Sequence, residues 1–115
     1  MFVSRPDATL AVDPAAPLQF GLAQNAPNPF RSATQIHFSL PVQSHVKLSV
    51  FDIAGREVVS LSNQVWEPGN HVVSWSGRTD GGAPARGGVY FVQMVAQSAT
   101  DGQRYRSQKK MIRID

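Results

Sequence analysis

The residues most suited to chemistry in this sequence are three histidines, His37, His45 and His71, which lie far apart along the chain. A zinc site needs ligands that converge at about 2 Å, and it usually takes two of them from a short stretch of sequence. The sequence has no HxH or HxxxH pair. Its serines have no GxSxG context that would mark a catalytic nucleophile. We therefore predict no metal site at the histidines and no enzymatic activity.

A glycine-rich segment, residues 77–88, also invites a chemical interpretation. It lacks the Gly-Lys-Ser/Thr of a phosphate-binding loop, and no helical pattern follows it that could receive a phosphate. Asp80 in this segment and Asp52 in another predicted turn could each offer oxygens to calcium, which prefers six to eight. One acid in each loop is few, and an Asx-turn is the simpler interpretation. We predict no cofactor.

The composition sets further bounds on the class of protein. At 115 residues, with 42% hydrophobic and 17% charged residues, the chain has the size and make-up of one globular domain. Without cysteine it can form neither a disulfide nor a thiolate metal site. The longest apolar runs are far shorter than the roughly 20 residues that cross a bilayer, so we expect no membrane insertion. The N-terminus lacks the pattern of a signal peptide, and we expect any export signal in a longer parent chain.

Basic residues are concentrated near the C-terminus of the chain, which has a net charge of +3. On an unbroken strand Arg104, Arg106 and Lys110 would share one face, with Lys109 and Arg113 on the other. The only aromatic residue within this cluster is Tyr105, which does not make a stacking platform, so we predict no nucleic-acid binding. A charged, exposed edge strand that discourages aggregation is the simpler interpretation.

Short strands separated by turn signals must position these residues. Apolar and polar residues alternate in the period-2 pattern of half-buried strands. Residues 63–68 are expected to turn, with Trp66 exposed or half-packed. The pattern predicts an all-β fold, a seven-stranded, antiparallel, immunoglobulin-like β-sandwich. The predicted strands are residues 18–24 (weakly), 34–40, 45–53, 56–61, 71–75, 89–96 and 104–114.

The same alternation predicts a core centred on Trp75, the largest side chain expected to face the opposite sheet. Residues 18–115 are expected to form the sandwich. Residues 1–17, rich in proline and alanine, are expected to be an extended linker or an N-terminal arm, although residues 8–12 alternate and could pair as a strand. The predicted core residues are Phe30, Ile36, Phe38, Leu48, Val50, Val73, Trp75, Tyr90 and Val92.

Six blocks of the sequence resemble a known family when they are taken in order. The blocks are LAQNAPNPF (22–30), IHFSLP (36–41), VFDIAGREVV (50–59), GNHVVSW (69–75), GVYFV (88–92) and KKMIR (109–113). Together they resemble the type A C-terminal sorting domain of the bacterial type IX secretion system. They are equally similar to the related Ig-like domain first named from the flagellar hook-capping protein. The resemblance covers residues 18–114.

The resemblance implies a non-catalytic domain that sorts a larger exported bacterial protein through the periplasm and anchors it at the cell surface. Its partners would be the secretion machinery and an upstream cargo domain. Lys109, Lys110 and Arg113 resemble the family's terminal motif, and we expect them to face the translocon. In one departure Ser76 follows Trp75 where relatives often carry Trp-Asp-Gly.

A structural role is the alternative implied by the same resemblance. The domain would then be an Ig-like assembly module of a fibre, an adhesin or a hook-cap-like structure. It would pair with neighbouring subunits through its N-terminal arm or its edge strands, because an exposed sheet edge can accept an additional strand.

Overall fold

Two antiparallel sheets form the domain in a computed structural model that describes residues 18–115. The strands are β1 (Gly21–Leu22), β2 (Thr34–Leu40), β3 (Ser44–Asp52), β4 (Glu57–Trp66), β5 (Gly69–Trp75), β6 (Gly88–Ser98) and β7 (Arg104–Arg113). One sheet has the strand order β1-β2-β5 and the other β4-β3-β6-β7, which confirms the seven-stranded β-sandwich. This part of the chain contains no helix long and apolar enough to span a membrane. The predicted linker at 1–17, with its possible strand at 8–12, lies outside the described residues.

The core lies between the sheets and is built from alternate residues of the longer strands. Strand β2, for example, buries Ile36, Phe38 and Leu40 while Gln35 and His37 are exposed. Each large apolar side chain that is buried in this way stabilises the fold by about 1.5–3 kcal/mol. The remaining buried apolar residues of the long strands are Val46, Leu48, Val50, Trp75, Tyr90, Val92, Met94, Ala96 and Met111.

Trp75 anchors one end of the sandwich. Its indole is 1% exposed and packs edge-on against Phe30 and Tyr90, with ring centroids 5.5 and 5.4 Å away. The indole Nε1 donates a hydrogen bond to the carbonyl oxygen of Arg78 at 2.9 Å. On the same strand, Val73 is only half-buried and packs against the edge of the core.

A second aromatic cluster lies further along β2, so the packing is not centred on Trp75 alone. Phe38 and Trp66 pack perpendicular to each other, with ring centroids 5.4 Å apart. His71 lies 4.9 Å from Trp66, centroid to centroid. Since Thr34 pairs with Trp75 and Phe38 pairs with His71 in the β2–β5 ladder, the two clusters occupy different levels of the sandwich.

The expected turn at residues 63–68 is wrong for its first four residues, because β4 continues to Trp66. Trp66 pairs with Ser44 of β3, and its indole Nε1 donates to Ser62 Oγ at 2.9 Å. Asn63 and Gln64 are exposed, which is typical of an edge strand such as β4, where polar side chains remain solvated. The polar residues that led us to expect a turn here therefore belong to the edge of a sheet.

Candidate partner-binding surface

The C-terminal strand β7 forms an edge of the four-stranded sheet, where it pairs with β6 from Gly88↔Arg113 to Gln97↔Arg104. Its even-numbered residues are exposed, and its odd-numbered residues are half-buried or buried. Lys110 is therefore on the outer face. Lys109 and Arg113 are half-buried on the inner face with Met111, which is fully buried. The structure thus separates the three residues that we expected to face a translocon, and it exposes only Lys110.

Arg113 lies inside the domain, which differs from the outward position that we expected. Its side chain is 14% exposed, and within residues 18–115 its buried Nε has no hydrogen-bond partner. The guanidinium Nη1 is 3.5 Å from Asp115 Oδ1. The side chain crosses Gly77, where an added Cβ would be 2.8 Å from Arg113 Nε. Arg113 therefore contacts the 77–88 loop and is poorly placed to meet a partner.

A segment before β2, residues 24–30, covers the edge of the last part of β7, and we call it the N-terminal clasp. Asn28 Oδ1 accepts a hydrogen bond from the Ile112 amide at 2.9 Å. The Phe30 amide donates to the Ile112 carbonyl oxygen at 3.0 Å, and the Ile114 amide donates to the Phe30 carbonyl oxygen at 2.8 Å. These bonds satisfy main-chain groups that an edge strand would otherwise expose. The clasp thereby fixes the position of the end of β7.

Two further contacts hold the clasp in place. Gln24 Nε2 donates to the main-chain oxygen of Lys110 at 2.6 Å. The buried side chain of Asn25 donates to Thr34 Oγ1 at 2.9 Å and to the Pro27 carbonyl oxygen at 3.1 Å. The Asn25 side chain thus ties the clasp to β2.

Asp115 is held by hydrogen bonds from two separate segments of the chain. The Gly87 amide donates to Asp115 Oδ1 at 2.8 Å, and Arg31 Nη1 donates to the main-chain oxygen of Asp115 at 2.6 Å. A Cβ at Gly87 would lie 2.8 Å from Asp115 Cγ, so this close approach depends on glycine. Residues 104–115 therefore form a fixed element of the domain.

The two aspartates that were considered for calcium have separate roles. Asp52 Oδ1 accepts hydrogen bonds from the amides of Ala54 and Arg56 at 2.9 and 3.0 Å, which is the expected Asx-type turn. The Arg56 amide hydrogen bond, above all, holds the pKa of Asp52 below its ordinary value. Asp80 lies on a different loop, with Oδ1 3.4 Å from the Ser60 amide. In the described part of the chain no three His, Cys, Asp or Glu residues cluster as metal ligands would.

Three phenylalanines near the basic strand, Phe20, Phe51 and Phe91, were missed in the sequence. Tyr105 lies on the inner side of β7 and stacks on Phe20, with ring centroids 5.4 Å apart. On the outer face, Phe51 of β3 pairs with Phe91 of β6, which pairs with Lys110. Both phenylalanines are half-buried. Phe51, Phe91 and Lys110 are adjacent only because of strand register, so their spacing along the sequence could not reveal this contact.

These features define an immunoglobulin-like β-sandwich whose basic last strand is fixed at the sheet edge. The family model of the FlgD Ig-like domain matches residues 24–100, which is more than half of the chain, and the chain belongs to that family. This family is one of structural modules, and the match indicates no catalytic family. The comparison with curated protein sequences finds no match.

Three solved structures share the fold. A dimeric latent form of PorU from Porphyromonas gingivalis is similar over 90% of this chain, with 24% identity and a TM-score of 0.68. FlgD from P. aeruginosa is similar over 79%, with 21% identity and a TM-score of 0.59. PorZ from Porphyromonas gingivalis, described as an essential surface component of the type IX secretion system, is similar over 84%, with 19% identity and a TM-score of 0.50.

The share of each relative that this chain matches differs widely. The chain spans 10% of the PorU chain and 11% of the PorZ chain, but 73% of the FlgD chain. In PorU and PorZ the similar part is thus one small domain of a large protein. At these identities the likeness concerns the fold.

Proposed function

We propose that this domain is a non-catalytic sorting module, which directs a larger exported bacterial protein to a secretion machinery and holds it at the cell surface. Membership of the FlgD Ig-like family supports this role. Similar domains in PorU and in PorZ, a surface component of the type IX system, support it further. The cargo would be an upstream domain of the same parent chain, delivered through the periplasm.

The observation that carries the proposal is the exposure of Lys110 on a strand that the N-terminal clasp fixes in place. A receptor that reads a short terminal motif benefits from a rigid presentation, because little conformational freedom is then lost on binding. The clasp supplies this rigidity through Asn28 and Phe30. Lys109 and Arg113 would act differently from Lys110, since they contribute to the inner side of the strand.

An assembly role is the second candidate, and the edge strand β5 favours it. Strand β5 pairs with β2 at one edge of the three-stranded sheet. Val72 on this strand is 49% exposed, although it lies in the middle of Gly69–Trp75. An exposed strand with an apolar side chain is a template for pairing with a neighbouring subunit.

One experiment separates the two roles. A reporter with its own export signal is fused upstream of residues 1–115 and produced in a bacterium that has the type IX machinery. The sorting role predicts reporter at the cell surface, with the reporter alone retained in the periplasm. Periplasmic retention of both proteins would contradict sorting. Concentration-dependent oligomers of the purified domain, abolished by Val72→Lys, would favour assembly instead.

A further inference from the structure

A cleft on the outer face of the four-stranded sheet gathers three basic side chains. The cleft has a volume of about 230 Å³, and its basic residues are Lys47 from β3 with Arg104 and Arg106 from β7. Lys47 pairs with Val95 of β6, which pairs with Arg106. Since neighbouring strands are about 4.8 Å apart, the backbones of Lys47 and Arg106 are about 10 Å apart across Val95. At this spacing the side chains of Lys47 and Arg106 can contact the same anion from two sides.

The cleft has no acidic residue of its own among the side chains that line it in residues 18–115. Within the same residues the ion pairs of the domain involve Arg56 and Arg113, and neither lies in the cleft. Three cations that share one cleft repel each other when no anion is present. The charge of the cleft is therefore complementary to a carboxylate or a similar anion.

Ser49 gives an independent indication of a ligand at the same place. Its side chain lines the cleft and is 2% exposed. Within the described residues the buried Oγ has no hydrogen-bond partner. Buried hydroxyl groups in proteins are nearly always paired, and each exception needs an explanation. An anion in the cleft would accept the hydrogen bond that the Ser49 hydroxyl can donate.

An apolar groove continues from the basic cleft along the same face. This second cleft has a volume of about 290 Å³ and shares Phe51 and Gln93 with the first. Phe91 and Ile53 also line it, and Ile53 is 77% exposed. The acidic residue at this end, Asp52, is engaged by Arg56 in its own turn. The residues that line the groove thus change from basic to apolar along its length.

A segment of a partner protein suits this combination better than a nucleic acid does. A nucleic acid carries charge along its whole backbone, whereas the basic residues that line the groove, Lys47, Arg104 and Arg106, all lie at one end of it. A polypeptide can place a carboxylate and an apolar side chain a few residues apart. From Arg104 to Gln108 the groove extends about 13 Å, at about 3.3 Å per residue, which is the length of about four extended residues.

We propose that this groove binds an acidic segment of a partner protein in an extended conformation. A carboxylate lies between Lys47, Arg104 and Arg106, and Ser49 Oγ donates to it. An apolar side chain a few residues away lies on Phe51, Phe91 and Ile53. Arginine suits this role because its guanidinium can donate two parallel hydrogen bonds to one carboxylate. The proposal does not rest on sorting, because an assembly module would use the same groove.

The test is a binding measurement with the purified chain and defined probes. A fluorescein-labelled peptide of about eight residues, long enough to exceed the groove, carries two glutamates followed by two leucines at alternate positions. A second peptide replaces both glutamates with glutamine, and oligothymidylate of similar length serves as the nucleic-acid probe. Fluorescence anisotropy at low salt should show the glutamate peptide binding at least about tenfold more tightly than either other probe.

Variants locate the site and control for net charge. Arg104→Gln with Arg106→Gln should weaken binding of the glutamate peptide about tenfold or more. Arg78→Gln with Arg86→Gln removes the same charge from exposed positions of the 77–88 loop and should change binding less than about twofold. Ser49→Ala should weaken binding about threefold to tenfold without lowering the thermal midpoint, because it removes a hydroxyl that lacks a partner.

Three results would overturn the proposal. Equal affinity for the glutamate and glutamine peptides would show that no carboxylate is recognised. Equal losses from the two arginine pairs would show that net charge, and not the cleft, is responsible. Tighter binding of oligothymidylate than of the glutamate peptide would assign the basic face to nucleic acid.

Discussion

Phe30 packs edge-on against Trp75, with ring centroids 5.5 Å apart and ring planes at 62°. The backbone of the same phenylalanine is hydrogen-bonded to Ile112 and Ile114 at the end of the C-terminal strand. The aromatic core and the terminal strand are therefore joined at one residue. Because of this connection, the position of β7 depends on packing around Trp75.

Trp75→Ala should lower the free energy of unfolding by about 3–5 kcal/mol, since it leaves a large cavity between Phe30 and Tyr90. Trp66→Ala should cost less, because Trp66 is only half-buried, although it loses a hydrogen bond to Ser62. Urea unfolding followed by circular dichroism measures both values. Equal unfolding midpoints for the two variants would be inconsistent with Trp75 as an anchor of the core.

Gly77→Ala should destabilise the domain by about 1–2 kcal/mol or more. Gly77 has a φ of 77°, which favours glycine, and an added Cβ would be 2.8 Å from Arg113 Nε. Gly81→Ala is the matched control in the same loop, because the nearest atom to its Cβ beyond its two chain neighbours would be Thr79 Oγ1, at 3.8 Å. Thermal midpoints should separate the two variants. An unchanged midpoint for Gly77→Ala would show that Arg113 does not lie across this glycine.

At alkaline pH the stability of Tyr90→Phe should depend on pH less than the stability of the wild type does. Tyr90 Oη donates to the Arg86 carbonyl oxygen at 2.6 Å, and burial raises the pKa of Tyr90 above its ordinary value of 10.0. The folded state therefore binds this proton more tightly than the unfolded state, and the resulting stability is lost as the pH rises above 10. At neutral pH the variant should be less stable by about 0.5–1.5 kcal/mol.

The difference between wild type and Tyr90→Phe should be constant below about pH 9 and should shrink at higher pH, because only the wild type can lose the proton. Urea unfolding at several pH values measures this difference. If the difference grows as the pH rises, the direction of the pKa shift is wrong.

Local patterns in the sequence were enough to predict much of the fold. The alternation of Ile36, Phe38 and Leu40 predicted β2 with the bounds that the structure shows, Thr34–Leu40. Such alternation reports which side of a strand is buried, and it needs no knowledge of the partner strand. Trp75 was expected between the sheets for the same reason.

Features that depend on contacts between distant strands could not be predicted in this way. Arg113 lies inward because Gly77 leaves space for its side chain, and these residues are 36 positions apart. Phe51 and Phe91 meet through the register of β3 and β6. The polar run before Trp66 indicated a turn because a sequence does not distinguish a solvated loop from a solvated sheet edge. The candidate surfaces of this domain are made of such long-range contacts.

The most direct test of the sorting role compares single lysine variants of the reporter fusion in a host with the type IX machinery. Lys110→Gln should reduce surface delivery severalfold, because it removes the one cation of the terminal motif that is exposed. It should change folding stability by only about 0–1 kcal/mol, so misfolding would not explain the loss. Lys109→Gln, on the inner side of β7, should have a smaller effect, and Arg78→Gln in the 77–88 loop should have none. Surface delivery of Lys110→Gln at the wild-type level would contradict recognition through this strand.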